Sequence, residues 1–123
     1  MKECKILIVD DADNLALLLE SRLEAANYEV RTAGCAAEAY QTFLTFKPDL
    51  VLTDIGIGEE NGLDLIKRIR DRCGSVKTIY MTGDLARYRS VLVEEKILHH
   101  AAVLAKPFST NELISAVSAQ ASY

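Results

Sequence analysis

The sequence predicts an α/β fold in which five parallel strands form one sheet and five helices cover it, in the alternating order (βα)5. Two observations lead to this prediction. Short apolar runs alternate with longer segments of helical periodicity, and no Gly/Ser/Pro-rich linker or repeat interrupts them. The 123 residues are 50% hydrophobic and 26% charged, which predicts a single globular domain over residues 1–123.

Four of the predicted strands are short runs of mainly apolar residues, a pattern typical of parallel strands that are covered on both faces. They are Lys5–Val9, Leu50–Thr53, Thr78–Met81 and Ala102–Ala105. The remaining strand, Tyr28–Thr32, is second in the chain and alternates apolar with polar residues, so one of its faces meets solvent. An edge position for this strand favours the order 2-1-3-4-5, the doubly wound, flavodoxin-like arrangement.

The predicted helices carry apolar residues at helical spacing. They cover Asn14–Ala26, Ala36–Phe46, Leu63–Arg72, Leu85–Glu95 and Asn111–Ala119. The last helix has the clearest start, because Ser109 and Glu112 have the spacing of a capping box and Pro107 prevents extension toward the N-terminus. Right-handed crossovers between parallel strands then place helices on both faces of the sheet.

Composition excludes several classes of protein. The formal charge is -4 and no basic run is longer than two residues, so we expect no direct binding to nucleic acid. No apolar stretch has the length of a membrane span or the pattern of a signal peptide, so we expect a cytoplasmic protein that does not enter the membrane. Three cysteines without C-x-x-C spacing argue against both a disulfide framework and structural zinc.

Polar side chains follow four of the five strands at the point where each strand ends. Asp10 and Asp11 follow the first strand, Asp54 the third, Thr82 the fourth and Lys106 the fifth. In open parallel sheets, ligands bind beyond the carboxyl ends of the strands, at the switch point between strands 1 and 3. We therefore expect one shallow pocket that holds three carboxylates, a hydroxyl and an ammonium group.

Three neighbouring carboxylates require compensating positive charge, since two unit charges about 4 Å apart repel by about 4 kcal/mol at an effective dielectric constant of about 20. Lys106 supplies one charge, and oxygen ligands without His or Cys favour Mg²⁺ as a second source. Such a site suits transfer of a phosphoryl group to a carboxylate. Asp54 is the preferred nucleophile, because it stands alone on the central strand whereas Asp10 and Asp11 are paired as metal ligands would be.

These motifs, in this order, resemble the response-regulator receiver domain of two-component signalling. The segments that carry the resemblance are IVDDADN, LVLTDIGIGEENG, YMTGD and LAKPF, and the resemblance extends over the whole chain. Gly62 falls at the family's offset from the phosphoacceptor. The resemblance implies a phosphorylation-dependent switch in which Asp54 accepts a phosphoryl group from a sensor histidine kinase or a histidine phosphotransfer protein.

The resemblance also implies a Mg²⁺ site. Asp10 and Asp11 match the acids of the family that bind the metal, together with the phosphoacceptor Asp54. The backbone carbonyl of Gly56 matches a further protein ligand. Such a domain is a regulatory module rather than an enzyme, and it catalyses only its own phosphorylation and dephosphorylation.

Four further features follow from the resemblance. Thr82 and Lys106 match the switch hydroxyl and the phosphate-binding lysine, and Lys106–Pro107 matches a cis peptide bond. Helix 4, strand 5 and helix 5 correspond to the surface that an output partner or effector domain reads.

Two positions depart from the family pattern. Val103 stands where the family commonly has an aromatic side chain that rotates inward as the threonine moves toward the phosphate. Without that aromatic ring, we expect the output surface to switch differently or weakly. Gly58 replaces the family's proline four residues after the phosphoacceptor, which gives the loop IGIGEEN more conformational freedom.

The apolar arc of the first helix is wider than core packing requires. Leu19 and Leu23 account for the core contact at helical spacing. Leu15 and Leu18 are predicted to lie toward the acidic pocket, where they are candidates for docking the helices of a histidine kinase or a phosphotransfer domain.

Two other functions are compatible with parts of the sequence. A haloacid-dehalogenase-like phosphatase would use Asp11 as its nucleophile within the Asp11-Ala12-Asp13 motif, although the paired downstream acids and the cap domain of that family have no counterpart here. A pseudo-receiver would bind partners without phosphorylation. Val103 leaves this possibility open, whereas the intact set of acids, Thr82 and Lys106 argues against it.

The other notable polar residues have structural interpretations. Asp13 and Asp84 lie at predicted helix starts, where an aspartate commonly acts as a cap. His99 and His100 are adjacent, without a third ligand at metal-binding spacing, so we expect loop or strand-entry residues.

Overall fold

The structure is a computed structural model that describes residues 4–122, and it has the predicted α/β architecture. The strands are β1 (Lys5–Val9), β2 (Glu29–Ala33), β3 (Leu50–Asp54), β4 (Gly56–Ile57), β5 (Glu60–Asn61), β6 (Lys77–Thr82) and β7 (Ala102–Ala105). The helices are α1 (Asp13–Ala25), α2 (Ala36–Phe46), α3 (Gly62–Cys73), α4 (Leu85–His99) and α5 (Thr110–Ala121).

The main sheet has five parallel strands in the order β2-β1-β3-β6-β7. This is the predicted order 2-1-3-4-5, because β4 and β5 form a separate antiparallel hairpin of two-residue strands. Strand β2 lies at an edge and exposes Arg31, as its alternating pattern predicts. The hairpin itself was not predicted, since two-residue strands leave no periodicity to detect.

The core consists of two hydrophobic clusters, one on each face of the sheet. Successive residues of a strand point to opposite faces, so neighbouring residues of β1 and β6 divide between the clusters. Leu7 and Tyr80 belong to the cluster under α2 and α3, whereas Ile6 and Met81 belong to the cluster under α1 and α5. The strands β1, β3 and β6 are therefore covered on both faces, as predicted. The prediction is less accurate for β7, which lies at the other edge of the sheet and is only partly buried.

Helix starts are stabilised in three different ways. The predicted capping box of α5 is present, because Ser109 Oγ accepts a hydrogen bond from the Glu112 amide and Glu112 Oε1 accepts one from the Ser109 amide. Asp84 caps α4 by accepting from the Arg87 amide. The interpretation of Asp13 as a cap is wrong, since it is the first residue of α1. The turn before α1 is instead stabilised by Asp10, whose Oδ1 accepts from the Ala12 amide at 2.9 Å.

The end of α4 also differs from the prediction. The helix continues past Glu95, because Lys96, Ile97 and Leu98 are compatible with helix and no Gly or Pro interrupts them. It ends at His99, and His100 follows in a left-handed conformation with φ of 56°. His99 is thus a helical residue rather than a loop or strand-entry residue. None of the helices in the described part of the chain is long and apolar enough to cross a membrane.

Candidate functional site

The predicted acidic pocket forms at the carboxyl ends of β1 and β3. Asp10 follows β1, and Asp54 is the last residue of β3. The two strands pair in parallel with Val9 opposite Thr53, so both ends reach the same edge of the sheet. One carboxylate oxygen from each of Asp10, Asp11 and Asp54 lies within 4.8 Å of the others.

Lys106 supplies the positive charge of this cluster. Its backbone amide donates a hydrogen bond to the Thr82 carbonyl at 2.8 Å, which fixes the start of its loop against the end of β6. Its Nζ lies 2.8 Å from Asp54 Oδ2 and 3.6 Å from Asp10 Oδ2. A single ammonium group therefore contacts two of the three carboxylates, and the ionised cluster keeps a net negative charge.

The electrostatic environment changes the protonation equilibria of the Asp54–Lys106 pair. Burial raises the pKa of Asp54, and the charges of Asp10 and Asp11 raise it further. Together they outweigh the hydrogen bond and the positive charge of Lys106, which lower it. Burial alone would lower the pKa of Lys106, but its hydrogen bond to Asp54 and the charge of Asp10 raise it overall. Lys106 therefore stays protonated at neutral pH, while the Asp54 carboxylate is destabilised by its surroundings.

The residues of the cluster fit a hard divalent cation. Asp10 is 2% exposed, and its Oδ2 is a buried side-chain oxygen without a hydrogen-bond partner among the described residues. An unsatisfied buried carboxylate oxygen is unfavourable, and coordination of a cation would satisfy it. The donors are all oxygens, with neither His nor Cys among them, which matches the ligand preference of Mg²⁺.

The third acid, Asp11, holds the loop that follows β3. Its Oδ2 accepts a hydrogen bond from the Gly58 amide at 3.0 Å. Gly58 has a φ of 61°, a conformation that glycine adopts easily. Proline could neither adopt this φ nor donate this hydrogen bond, so the departure from the family pattern has a structural reason. Gly56, the expected carbonyl ligand, begins β4 in the same loop.

Gly62 lies where the chain passes close to the end of β3, at Thr53 and Asp54. Its amide donates to the Ile55 carbonyl at 2.7 Å, and it begins α3. A Cβ atom at this position would lie 2.2 Å from the Asp54 carbonyl oxygen and 2.9 Å from Thr53 Oγ1. The spacing between Asp54 and Gly62 thus reflects a packing requirement, because only glycine allows this close approach.

The expected switch residues lie on β6 and β7, Thr82 as the last residue of β6 and Val103 as the second residue of β7. Thr82 is buried, and its Oγ1 accepts a hydrogen bond from the Asp84 amide at 3.0 Å. Val103 is partly buried on β7 and pairs in register with Tyr80 on β6. The Lys106–Pro107 peptide bond is cis in the structure.

The two leucines proposed for docking line a groove of about 350 Å³ beside the pocket. Leu15 is partly buried and Leu18 is 45% exposed, whereas the neighbouring Leu17 is 60% exposed and does not line the groove. The other lining residues are Leu19, Arg22, Lys106, Pro107 and Phe108. Lys106 therefore contacts both the acidic cluster and this apolar groove.

A further polar network, which the sequence analysis did not identify, lies between β6, α3 and α4. The Tyr80 hydroxyl donates to Glu95 Oε1 at 2.6 Å, and Arg70 Nη2 donates to the same oxygen at 2.8 Å. His99 Nε2 lies 4.0 Å from Glu95 Oε2. Burial and the hydrogen bond to Glu95 raise the pKa of Tyr80, so its hydroxyl keeps its proton. The only sequence signal is a tyrosine within the buried run TIYM.

The hydrogen bonds of Glu95 lead to a prediction about how the free energy of unfolding depends on pH. Burial alone would raise the pKa of Glu95, but the hydrogen bonds from Arg70 and Tyr80 and the charge of Arg70 lower it below the ordinary value of 4.5. Ionised Glu95 therefore stabilises the fold above that value, and this contribution is lost as the pH falls through the lowered pKa. We expect Glu95→Gln to cost about 2 kcal/mol at about pH 7, and to cost less at about pH 3.

Urea unfolding of both proteins at the two pH values measures this difference. The other acidic residues are common to both proteins, so their titration contributes equally. A cost of Glu95→Gln that does not change with pH would contradict the prediction.

The fold and the site together define a class of protein: a doubly wound α/β domain with an acidic cluster and a lysine at the carboxyl edge of its parallel sheet. The model of the response regulator receiver domain family matches residues 6–118. The chain therefore belongs to the response regulator receiver domain family.

Curated relatives support this membership. The chain is 32% identical over 115 residues to sporulation initiation phosphotransferase F of Bacillus subtilis, an alignment that covers 92% of this chain and 90% of that protein. It is also 32% identical over 117 residues to the DNA-binding transcriptional regulator NtrC of Azospirillum brasilense, covering 95% of this chain but 24% of the relative. The chain thus spans about a quarter of NtrC, and it spans 47% of the PhoP regulator of Bacillus subtilis.

Solved structures show the same fold. A CheY-like response regulator receiver domain protein from Methanospirillum hungatei superposes with a TM-score of 0.86 at 25% sequence identity. The match covers 98% of this chain and 95% of that chain. The similarity therefore includes nearly every element of the domain.

Proposed function

We propose that this protein is a phosphorylation-dependent signalling switch in which Asp54 accepts a phosphoryl group. The observation that carries the proposal is the position of Asp54, which contacts Lys106 Nζ at 2.8 Å within a cluster of three carboxylates. Family membership over residues 6–118 supports it. As proposed, residues 1–123 act as one receiver domain of a two-component system in the cytoplasm.

The side chains of the pocket have different proposed roles in phosphoryl transfer. Asp10, Asp11, Asp54 and the Gly56 carbonyl would hold Mg²⁺, which, when bound, supplies positive charge for the phosphoryl oxygens. Lys106 is already oriented toward Asp54 and offers a second positive charge to the same oxygens.

The reaction is a displacement at phosphorus. An oxygen of the Asp54 carboxylate forms a new O–P bond while the P–N bond of the donor phosphohistidine breaks, and the imidazole leaves with the electron pair of that bond. Burial and the charges of the neighbouring carboxylates raise the pKa of Asp54. The phosphoryl group adds further negative charge to this cluster, so the product depends on Lys106 and a bound cation for neutralisation. The product carries its charge on the phosphoryl group, within reach of Lys106.

We propose a sensor histidine kinase or a histidine phosphotransfer protein as the donor. The output partner or effector domain would read the surface of α4, β7 and α5, and the chain itself would not contact nucleic acid. As a regulatory module, the protein would catalyse only its own phosphorylation and dephosphorylation.

The labelling prediction tests this function. In the presence of Mg²⁺ and acetyl phosphate, we expect the protein to gain the mass of one phosphoryl group, because the small donor replaces phosphohistidine. Asp54→Asn removes the nucleophile and should abolish the gain. Asp71→Asn is the matched control, since Asp71 is exposed on α3 and lies outside the acidic cluster.

Intact-protein mass spectrometry distinguishes the alternatives. Labelling that survives Asp54→Asn but not Asp11→Asn would favour the phosphatase chemistry at Asp11. No labelling of the wild-type protein would contradict the proposal and favour a pseudo-receiver that acts without phosphorylation.

The docking prediction concerns the groove beside the pocket. A minority of side chains, near the centre of an interface, carry most of its binding energy, and truncating one of them weakens binding about tenfold or more. We expect Leu18→Ala to slow transfer from the cognate phosphohistidine donor by about tenfold while labelling by acetyl phosphate stays unchanged. Leu17→Ala is the matched control, because Leu17 is more exposed but does not line the groove.

Transfer kinetics with the donor protein measure this effect. If Leu18→Ala transfers at the wild-type rate, or if Leu17→Ala is slowed equally, the groove is not the docking site.

A further inference from the structure

Helix α4 is attached to the rest of the domain along a narrow stripe. Of its 15 residues, only Tyr88, Leu92 and Glu95 are not exposed. Leu92 is the single buried residue of the helix. The stripe therefore contains little apolar contact area, and the interactions at its two ends must contribute a large share of what holds α4 in place.

The C-terminal half of α4 is held by the polar network around Glu95. Glu95 accepts hydrogen bonds from Tyr80 on β6 and from Arg70 on α3, at 2.6 Å and 2.8 Å. The side chains of Arg70 and Glu95 are 18% and 13% exposed, so solvent screens their attraction less than that of a surface pair. This Tyr80–Glu95–Arg70 clamp joins three elements at one carboxylate.

The N-terminal half of α4 is held differently. A groove of about 400 Å³ begins beside this half, at Leu85, Ala86 and Arg89, and extends along α4 to Lys96. Val103 of β7, with its short side chain, lines the groove where the family commonly has an aromatic ring. The start of the helix is tied to the pocket through the loop before it. Asp84 caps the helix, and its backbone amide donates to Thr82 Oγ1 at 3.0 Å. Movement of the Thr82 hydroxyl would therefore act directly on this end.

We propose that the Tyr80–Glu95–Arg70 clamp is the fixed point about which α4 pivots when the protein is activated. The proposal rests on the proposed function, since a phosphoryl group on Asp54 is what draws Thr82 Oγ1 away from the Asp84 amide. Residues 85–91 then move across the groove beside Val103, while residues 92–99 keep their position. Val103 has no aromatic ring that could rotate inward as Thr82 moves. The clamp therefore determines which part of α4 changes position.

Tyr80 and Glu95 are positioning residues in this account, because they act on α4 rather than on the phosphoryl group. Tyr80→Phe removes one hydroxyl and keeps the ring that packs in the core. Tyr40→Phe is the matched control, since Tyr40 is a partly buried tyrosine on α2, outside the clamp. Glu95→Gln is a second clamp variant with a side chain of similar size.

The test is amide hydrogen exchange of the full chain, alone and with Mg²⁺ and beryllofluoride, a stable mimic of the phosphoryl group. In the wild-type protein, we expect beryllofluoride to change exchange at residues 83–91 and to leave residues 92–99 unchanged. In Tyr80→Phe, the change should extend to residue 99, and the amides of residues 95–99 should exchange about tenfold faster even without beryllofluoride. Tyr40→Phe should behave as the wild-type protein does.

The outcomes distinguish failure of the proposed pivot from failure of the proposed phosphorylation of Asp54. If beryllofluoride alters all of α4 in the wild-type protein, or if both clamp variants exchange as the wild-type protein does, the pivot is overturned. If the wild-type protein neither responds to beryllofluoride nor takes a phosphoryl group by mass, the proposed function fails. The exchange of the unliganded clamp variants then still decides whether Glu95 anchors the C-terminal half of α4.

Discussion

Replacing Gly62 with alanine is expected to destabilise the protein by about 3 kcal/mol, the upper end of what overpacking usually costs. The added Cβ would lie 2.2 Å from the Asp54 carbonyl oxygen and 2.9 Å from Thr53 Oγ1. The closest of these atoms belongs to the backbone of a buried central strand, so it cannot move aside as the end of a flexible side chain would. Alanine is a better helix former than glycine by about 1 kcal/mol, which offsets only part of this cost.

The strain should also reach the pocket, because relief of the clash displaces Asp54, the proposed phosphoacceptor. We therefore expect Gly62→Ala to slow labelling by acetyl phosphate as well as to lower the urea midpoint of unfolding. Gly34→Ala is the matched control, since a Cβ there has nothing within 4 Å and the backbone is not left-handed. Equal stability of the two variants would show that α3 does not pack against β3 as described.

The second large expected effect is the loss of stabilisation by Mg²⁺ when Asp11 is replaced. A cation that binds only the folded protein stabilises it by about 2.7 kcal/mol at a concentration about one hundred times its dissociation constant. We expect Mg²⁺ to raise the thermal midpoint of the wild-type protein, and we expect Asp11→Asn to lose most of this gain. Without Mg²⁺, Asp11→Asn should be at least as stable as the wild-type protein, because one charge of a mutually repelling cluster is gone.

Thermal unfolding with and without Mg²⁺ measures both parts of this prediction. Asp71→Asn serves again as the control, since it changes the net charge equally without touching the cluster. If Mg²⁺ stabilises Asp11→Asn as much as the wild-type protein, the cation binds elsewhere.

The fold and the positions of the site residues could be predicted because both depend on regular patterns. Continuous apolar runs mark strands that are covered on both faces, and β1 and β7 begin and end where these runs do. The carboxyl ends of parallel strands meet at one edge, which is enough to bring Asp10, Asp54 and Lys106 together. The strand order could be predicted because the alternating polar residues of β2 indicate a strand at an edge of the sheet.

The interactions that were missed depend on contacts between distant segments. Glu95 is 25 residues from Arg70 and 15 from Tyr80, and no periodicity links a helix residue to those partners. The cap of α1 was assigned to Asp13 because local spacing favours it, whereas Asp10 makes the hydrogen bond near this helix start. The close approach behind Gly62 likewise becomes visible only when α3 is packed against β3.

The most direct test of the account is to locate the phosphoryl group in the chain. The protein is labelled with acetyl phosphate and Mg²⁺, the acyl phosphate is reduced with borohydride to homoserine, and the modified residue is identified by peptide mass spectrometry. The account predicts that homoserine appears at position 54 and nowhere else. Homoserine at position 11, or an unmodified chain, would contradict it.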